Sequence, residues 1–185
     1  AIEATGYFKT VLRTRIGSPY VIAAFDNLAA EFNSYAGFEA NGGFLLGSEV
    51  TVGAAQLAAL PTRDAVLPAL AVLALAGQGT VSALQHNLPA RFTASDRITN
   101  FATAKSQELL AVAAAAPDLF VKQLGFSEVE ITELNQTDGL RISLSNQTIV
   151  HLRPSGNAPE LRCYAEASSG SVSALRRDGR GRRAN

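Results

Sequence analysis

The chain has a single cysteine, Cys163, in 185 residues, so no internal disulfide can form and a reducing compartment suits it. Within an apolar strand pattern that thiol reads as a small core residue. The six aspartates, at 26, 64, 96, 118, 138 and 178, never fall within two residues of one another. No local cluster therefore offers the several oxygen ligands that magnesium requires. The longest apolar run, 65–76, is too short to span a bilayer and contains Pro68. Neither a signal peptide nor an internal repeat is visible, and without an initiator methionine Ala1 need not be the natural N-terminus.

Net charge is also missing: the formal total is zero. It conceals a basic tail, in which Arg176, Arg177, Arg180, Arg182 and Arg183 face only Asp178. The tail stands at +4 and the remainder at −4. Such a tail can bind nucleic acid or an anionic membrane. With no aromatic side chain for stacking and no apolar stripe, it reads as a solvated terminus, and neither partner is expected.

What the chain has in quantity is apolar residues, 47% of a 19.4 kDa protein, enough for one large domain or two small ones. The run 8–16 reads as a strand. Gly17-Ser18-Pro19 opens a helix, Ser18 as a cap and Pro19 in its first turn, with Val21, Phe25, Leu28 and Phe32 on one face and an end near 35–37. Residues 37–46 form a short loop between two strand-like runs. Asp64 or Thr62 can cap the helix at 65–76, which is apolar on all sides and so expected to be buried. A further short helix covers 81–86, and the break at 88–93 marks a domain boundary.

The second unit opens with helices at 103–115 and 118–124. Strands follow at 129–134, 140–144, 148–152 and 160–167. Asp138-Gly139 and Ser145-Asn146 make the first two turns, and joints this short force the strands antiparallel. A helix near 172–177 is expected to pack back on that sheet.

The third turn is Arg153-Pro154-Ser155-Gly156-Asn157-Ala158-Pro159. Its prolines withhold N–H groups and Gly156 permits unusual φ angles, so neither strand can continue through it. The N–H groups of Ser155, Gly156 and Asn157, the Ser155 hydroxyl, the Asn157 amide and the Arg153 fork are candidate donors to a phosphate. The plain alternative is a hairpin loop with its arginine in solvent. Glu39 and Asn41, in the earlier loop, alternate with Ala40. They could project together toward the hydroxyls of a sugar, or simply decorate a surface hairpin.

The 153–159 turn, followed after two residues by Arg162, resembles the phosphate-binding loop of the α-D-phosphohexomutases, Arg-Pro-Ser-Gly-Thr-Glu-Pro, the phosphomannomutase and phosphoglucomutase family. Asn157 stands for the threonine and Ala158 for the glutamate. Glu39-Ala40-Asn41-Gly42-Gly43 resembles the family's sugar-binding loop, Gly-Glu-x-Ser-Gly-His, with Glu39 and Gly42 retained and Gly43 in place of the histidine. The resemblance implies α/β plus α+β architecture. Residues 1–87 would be a partial α/β third domain, 88–97 a linker, 98–175 a small antiparallel-sheet C-terminal domain backed by helices, and 176–185 the basic tail.

It also implies function: phosphoryl transfer between C1 and C6 of a hexose phosphate in the cytoplasm. Arg153, Ser155, Gly156 and Asn157 would hold substrate phosphate, and Glu39 and Asn41 the sugar. The family's phosphorylated Ser-His-Asn loop and its Asp-x-Asp-x-Asp magnesium site are absent, since neither His86 nor His151 follows a serine. No catalytic or metal residue is thus expected here. Magnesium and the phosphoserine would belong to N-terminal mutase domains outside this chain, which alone should be inactive and whose residues 1–87 should need covering by another segment. Two other readings stand beside this one: a naturally truncated phosphosugar-binding protein, and an interaction module acting through the arginine tail.

Overall fold

The computed structural model of the chain describes residues 2–168. The helix expected near 172–177 and the basic tail lie outside them. Two compact units divide between Pro89 and Ala90.

In the first unit, Gly17 and not the expected Ser18 takes the cap position of helix α1 (Ser18–Ala29), with no side-chain cap hydrogen bond, while proline lies in its first turn as expected. Strands β1 (Ala36–Phe38) and β2 (Phe44–Leu46) form an antiparallel hairpin, and β5 (Leu60–Asp64) pairs with the far side of β2. A separate hairpin joins β3 (Val50–Val52) to β4 (Ala55–Leu57). Val21 and Phe25 of α1 pack on Leu45, with Leu28 and Tyr35 around them. The approach is close: a Cβ on Gly37 would come within 2.1 Å of Val21 Cγ1, so only glycine fits beneath the helix.

Three further expectations fail in this unit. Residues 8–16 form no strand; the segment is irregular, Tyr7 and Phe8 are exposed, and Arg13 pairs with Glu3 at 2.6 Å. A strand needs a neighbour for its backbone groups, and this segment pairs with neither edge of the β1-β2-β5 sheet. Helix α1 stops at Ala29 instead of reaching 35–37, because Tyr35 must turn to stack beside Phe25, ring centroids 5.4 Å apart, before β1 begins. Helix α2 (Val66–Ala76) forms where expected, yet none of its residues is buried. Its start is set by Asp64, whose Oδ1 accepts from the N–H groups of Val66 and Leu67 at 2.7 and 3.3 Å. After Gly77 comes α3 (Val81–Leu84), capped by Thr80 and continued by a tight turn to Asn87. Among the described residues no single helix is long and apolar enough to cross a membrane.

The second unit holds a five-stranded antiparallel sheet, in the order β6 (Phe92–Thr99), β10 (Glu160–Ala167), β9 (Ile149–Pro154), β8 (Leu140–Leu144) and β7 (Ile131–Asn135). The expected four strands are present. The fifth, β6, pairs with β10 over its whole length and occupies most of the stretch read as a linker at 88–97. Helices α4 (Thr103–Ala115) and α5 (Pro117–Gln123) cover one face. Strict alternation puts Leu140, Ile142, Leu144, Val150, Leu152 and Leu161 against those helices. The intervening residues of each strand face the other way and are mostly polar.

A phosphate-loop candidate beside an arginine row

The 153–159 turn joins β9 to β10 at one end of that sheet. Ser155 N–H donates to the Glu160 carbonyl at 2.8 Å, closing the hairpin, and Phe101 N–H donates to the Pro159 carbonyl at 2.8 Å, pinning the loop to the segment before α4. These bonds revise the expected donor set. The Ser155 N–H is spent within the hairpin, and the Asn157 N–H reaches the Ser155 hydroxyl at 3.4 Å. Gly156 does not adopt a positive φ, and a Cβ there would meet open space, so its glycine is not required by the backbone. Gly156 and Asn157 are the exposed tip, while Arg153 and Ser155 are 9% and 5% exposed.

Arg153 is therefore not an arginine lying in solvent. Its Nε sits 3.3 Å from Asp138 Oδ2 across the β7–β8 turn. Gly139 in that turn has φ +82°, and a Cβ on it would strike the Leu152 carbonyl and the Arg153 backbone. His151 Nε2 lies 2.6 Å from the Asp138 carbonyl, which makes it the protonated ring nitrogen. Burial lowers the His151 pKa against the opposing pull of Asp138, so the ring is neutral near pH 7.

Register reveals what the motif alone did not. Arg153 on β9 stands opposite Arg162 on β10, which stands opposite Arg97 on β6. Directly paired residues share a face, so three arginines line up across three strands beside the loop tip. Glu160 is the carboxylate nearest two of them, 3.5 Å from Arg97 and 3.4 Å from Arg162. Tyr164 foremost, and Glu160 after it, raise the Arg162 pKa. Like charges in register repel, and an anion laid across the row relieves that repulsion. Arg97 was missed because β6 was read as a linker. Asp138 was read only as a turn residue. Cys163, its pKa raised first by burial and then by Asp96, is a protonated thiol on the apolar face.

In the first unit, the structure brings Glu39 and Asn41 together in the β1–β2 turn. The space a Cβ on Gly43 would take is bounded by Glu39 Oε2, Asn41 Oδ1 and the Arg63 stem, all at 3.1–3.3 Å. Arg63 Nε donates to Glu39 Oε2 at 2.6 Å, and the Glu39 side chain is 6% exposed. Asn41 Oδ1 accepts from Gly43 N–H at 3.0 Å, which leaves its amide N–H₂ to donate outward. Glu39 is thus pre-oriented by a partner that sequence reading did not assign to it. Among the described residues no three His, Cys, Asp or Glu side chains gather into a metal-binding group.

Family models match in two places. Residues 3–92 fit the phosphoglucomutase/phosphomannomutase alpha/beta/alpha domain III, and residues 98–178 fit the C-terminal domain of the same family. The chain is 51% identical over 168 residues to a phosphomannomutase of Salmonella muenchen, covering 91% of this chain and 35% of that protein. It is 45% identical over 163 residues to a phosphomannomutase of Sinorhizobium fredii (strain NBRC 101917 / NGR234), covering 85% and 34%. It spans about a third of the length of these relatives. A phosphoglucomutase/phosphomannomutase family protein of Burkholderia thailandensis shares the fold, with a TM-score of 0.61 at 19% identity over 91% of this chain and 31% of that one. With both its units matched by consecutive domains of one family, the chain belongs to the phosphoglucomutase/phosphomannomutase family and corresponds to its third and C-terminal domains.

Proposed function

We propose that this chain is the substrate-holding, C-terminal part of a phosphomannomutase/phosphoglucomutase, an isomerase that moves phosphate between C1 and C6 of a hexose. The row Arg153–Arg162–Arg97 beside the exposed Gly156–Asn157 tip carries the reading. Arg153, Ser155, Gly156 and Asn157 anchor the phosphate remote from the reacting one, with Ser155 acting mainly by shaping the loop. Glu39 and Asn41 hold ring hydroxyls, with Arg63 fixing the carboxylate. Phosphoryl transfer depends chiefly on positioning and charge stabilisation. An anchor that reads phosphate and not the ring accepts the sugar from either end, which suits an intermediate that must turn round between two transfers.

Among the described residues no carboxylate cluster suits magnesium, and the reading assigns metal and phosphoserine to N-terminal mutase domains, the chain's expected partners in a cytoplasmic enzyme. Calorimetric titration of the 185-residue chain with mannose 1-phosphate or glucose 1-phosphate tests the reading. Arg153→Ala should weaken binding by about 1.5–3 kcal/mol, the scale of a charge-assisted hydrogen bond. No saturable binding by the parent would overturn it. The chain alone should show no mutase turnover in a coupled assay with magnesium and a hexose bisphosphate activator, since it has no residue to donate phosphate. Turnover above background, in preparations free of host mutase, would contradict this assignment. Binding without turnover even after the N-terminal domains are supplied would favour the alternative, a catalytically inactive phosphosugar-binding protein.

A further inference from the structure

We infer that the β7–β8 turn, through Asp138 and Gly139, is a positioning device that sets the Arg153 guanidinium for phosphate. The inference rests on the phosphate reading above. A free arginine rotates about four bonds, and much of its binding energy is lost in ordering it. Here the ordering is done in advance. Asp138 Oδ2 lies 3.3 Å from Arg153 Nε, the nitrogen nearest the chain, an ion pair whose angle falls outside hydrogen-bond geometry. That leaves the Nη end of the guanidinium to address a ligand in the two-bond geometry that arginine offers to phosphate.

The turn itself is held from three sides. Gly139 lies against β9, where any side chain would strike the Leu152 carbonyl and the Arg153 backbone. His151 donates to the Asp138 carbonyl at 2.6 Å, and Asn135 Oδ1 accepts from Thr137 N–H at 3.0 Å. The carbonyl and carboxylate of one residue thus grip two alternate residues of β9, His151 and Arg153. Yet an aspartate close to a phosphate site carries a Coulombic cost. The inference is that orientation outweighs that cost, and this decides the sign of the test.

The 185-residue chain is titrated with mannose 1-phosphate. Asp138→Asn keeps the backbone carbonyl and removes the charge, and it should weaken affinity about 5–20-fold, with Asp138→Glu restoring it to within about threefold of the parent. In an Arg153→Ala background, Asp138→Asn should have no further effect, because the two residues act as one unit. A merely structural role would instead weaken binding equally in both backgrounds. Unchanged or tighter binding by Asp138→Asn, with the parent binding normally, overturns this inference and leaves the phosphate reading intact. No binding by the parent overturns both. If Asp138→Asn does not fold, the Arg153 Nε–H resonance of the parent decides: slow solvent exchange before ligand is added supports a preset side chain, and fast exchange overturns it.

Discussion

The two units of this chain treat the same kind of residue in opposite ways. In the second, Ile142 of β8 is 1% exposed, sealed under α4 and α5. In the first, Leu75 of α2 is 74% exposed, although α2 is the more apolar segment. A strand or helix follows from local signals such as alternation, a capping aspartate or a stopping glycine. Burial does not, because it needs a second layer that other residues must supply. The β6–β10 sheet meets its helices within the described chain, whereas α2 meets chiefly α3 among the described residues.

That contrast can be broken most forcefully by truncation. Ile142→Ala should destabilise the second unit by about 2–5 kcal/mol through lost burial and a cavity. Leu75→Ala should change the first by less than about 0.5 kcal/mol, since its side chain is already in water. Denaturant melts of the 185-residue chain read both. A large loss at Leu75 would mean that α2 is covered in solution, for instance by a second copy, and the contrast would vanish.

Glycine substitutions sharpen it at a smaller scale and reverse the roles of the units. Gly37→Ala should cost about 1–3 kcal/mol by forcing α1 off β1. Gly156→Ala, in open space and with no positive φ to maintain, should leave the second unit's melting midpoint within error. A substantial loss at Gly156 would show that the loop tip is packed.

The smallest effect concerns acidity and is confined to the second unit. Burial holds the His151 pKa below its ordinary value, while in the unfolded chain the imidazole titrates near about 6.5. Its contribution is fully present above about pH 6.5 and is lost as pH falls from there through the folded value. Lowering the pH from about 7.5 to 5.5 should therefore depress the parent's thermal midpoint more than that of His151→Gln. Equal slopes would show that the ring is not held neutral in the fold.

How much was legible depends on how local the signal was. Asp138-Gly139 was readable as a turn because its chemistry lies in adjacent residues. β8 and β10 were readable because apolar and polar residues alternate along them. The 153–159 loop was found for the same reason: its prolines and donors are contiguous. Residues 8–16 misled because apolar and basic character suits a strand only where a neighbouring strand exists. β6 was passed over because Thr93, Ser95, Asp96 and Arg97 give it little apolar signal, and its strand form comes from pairing with β10, more than sixty residues later.

By itself the sequence determined most of the elements and the family-like loops, since φ restriction, capping and alternation act over a few residues. Only the tertiary structure decided which groups are paired and which face out. It spent the Ser155 N–H inside the hairpin and buried Arg153 against Asp138. It also set Arg97, Arg162 and Arg153 side by side, and it joined Arg63 to Glu39. Each of these contacts joins residues on different strands, or fixes where a hydrogen bond goes once strands have paired. Register and packing settle them, and even partners close in sequence, such as Ser155 and Glu160, meet only once the strands have paired.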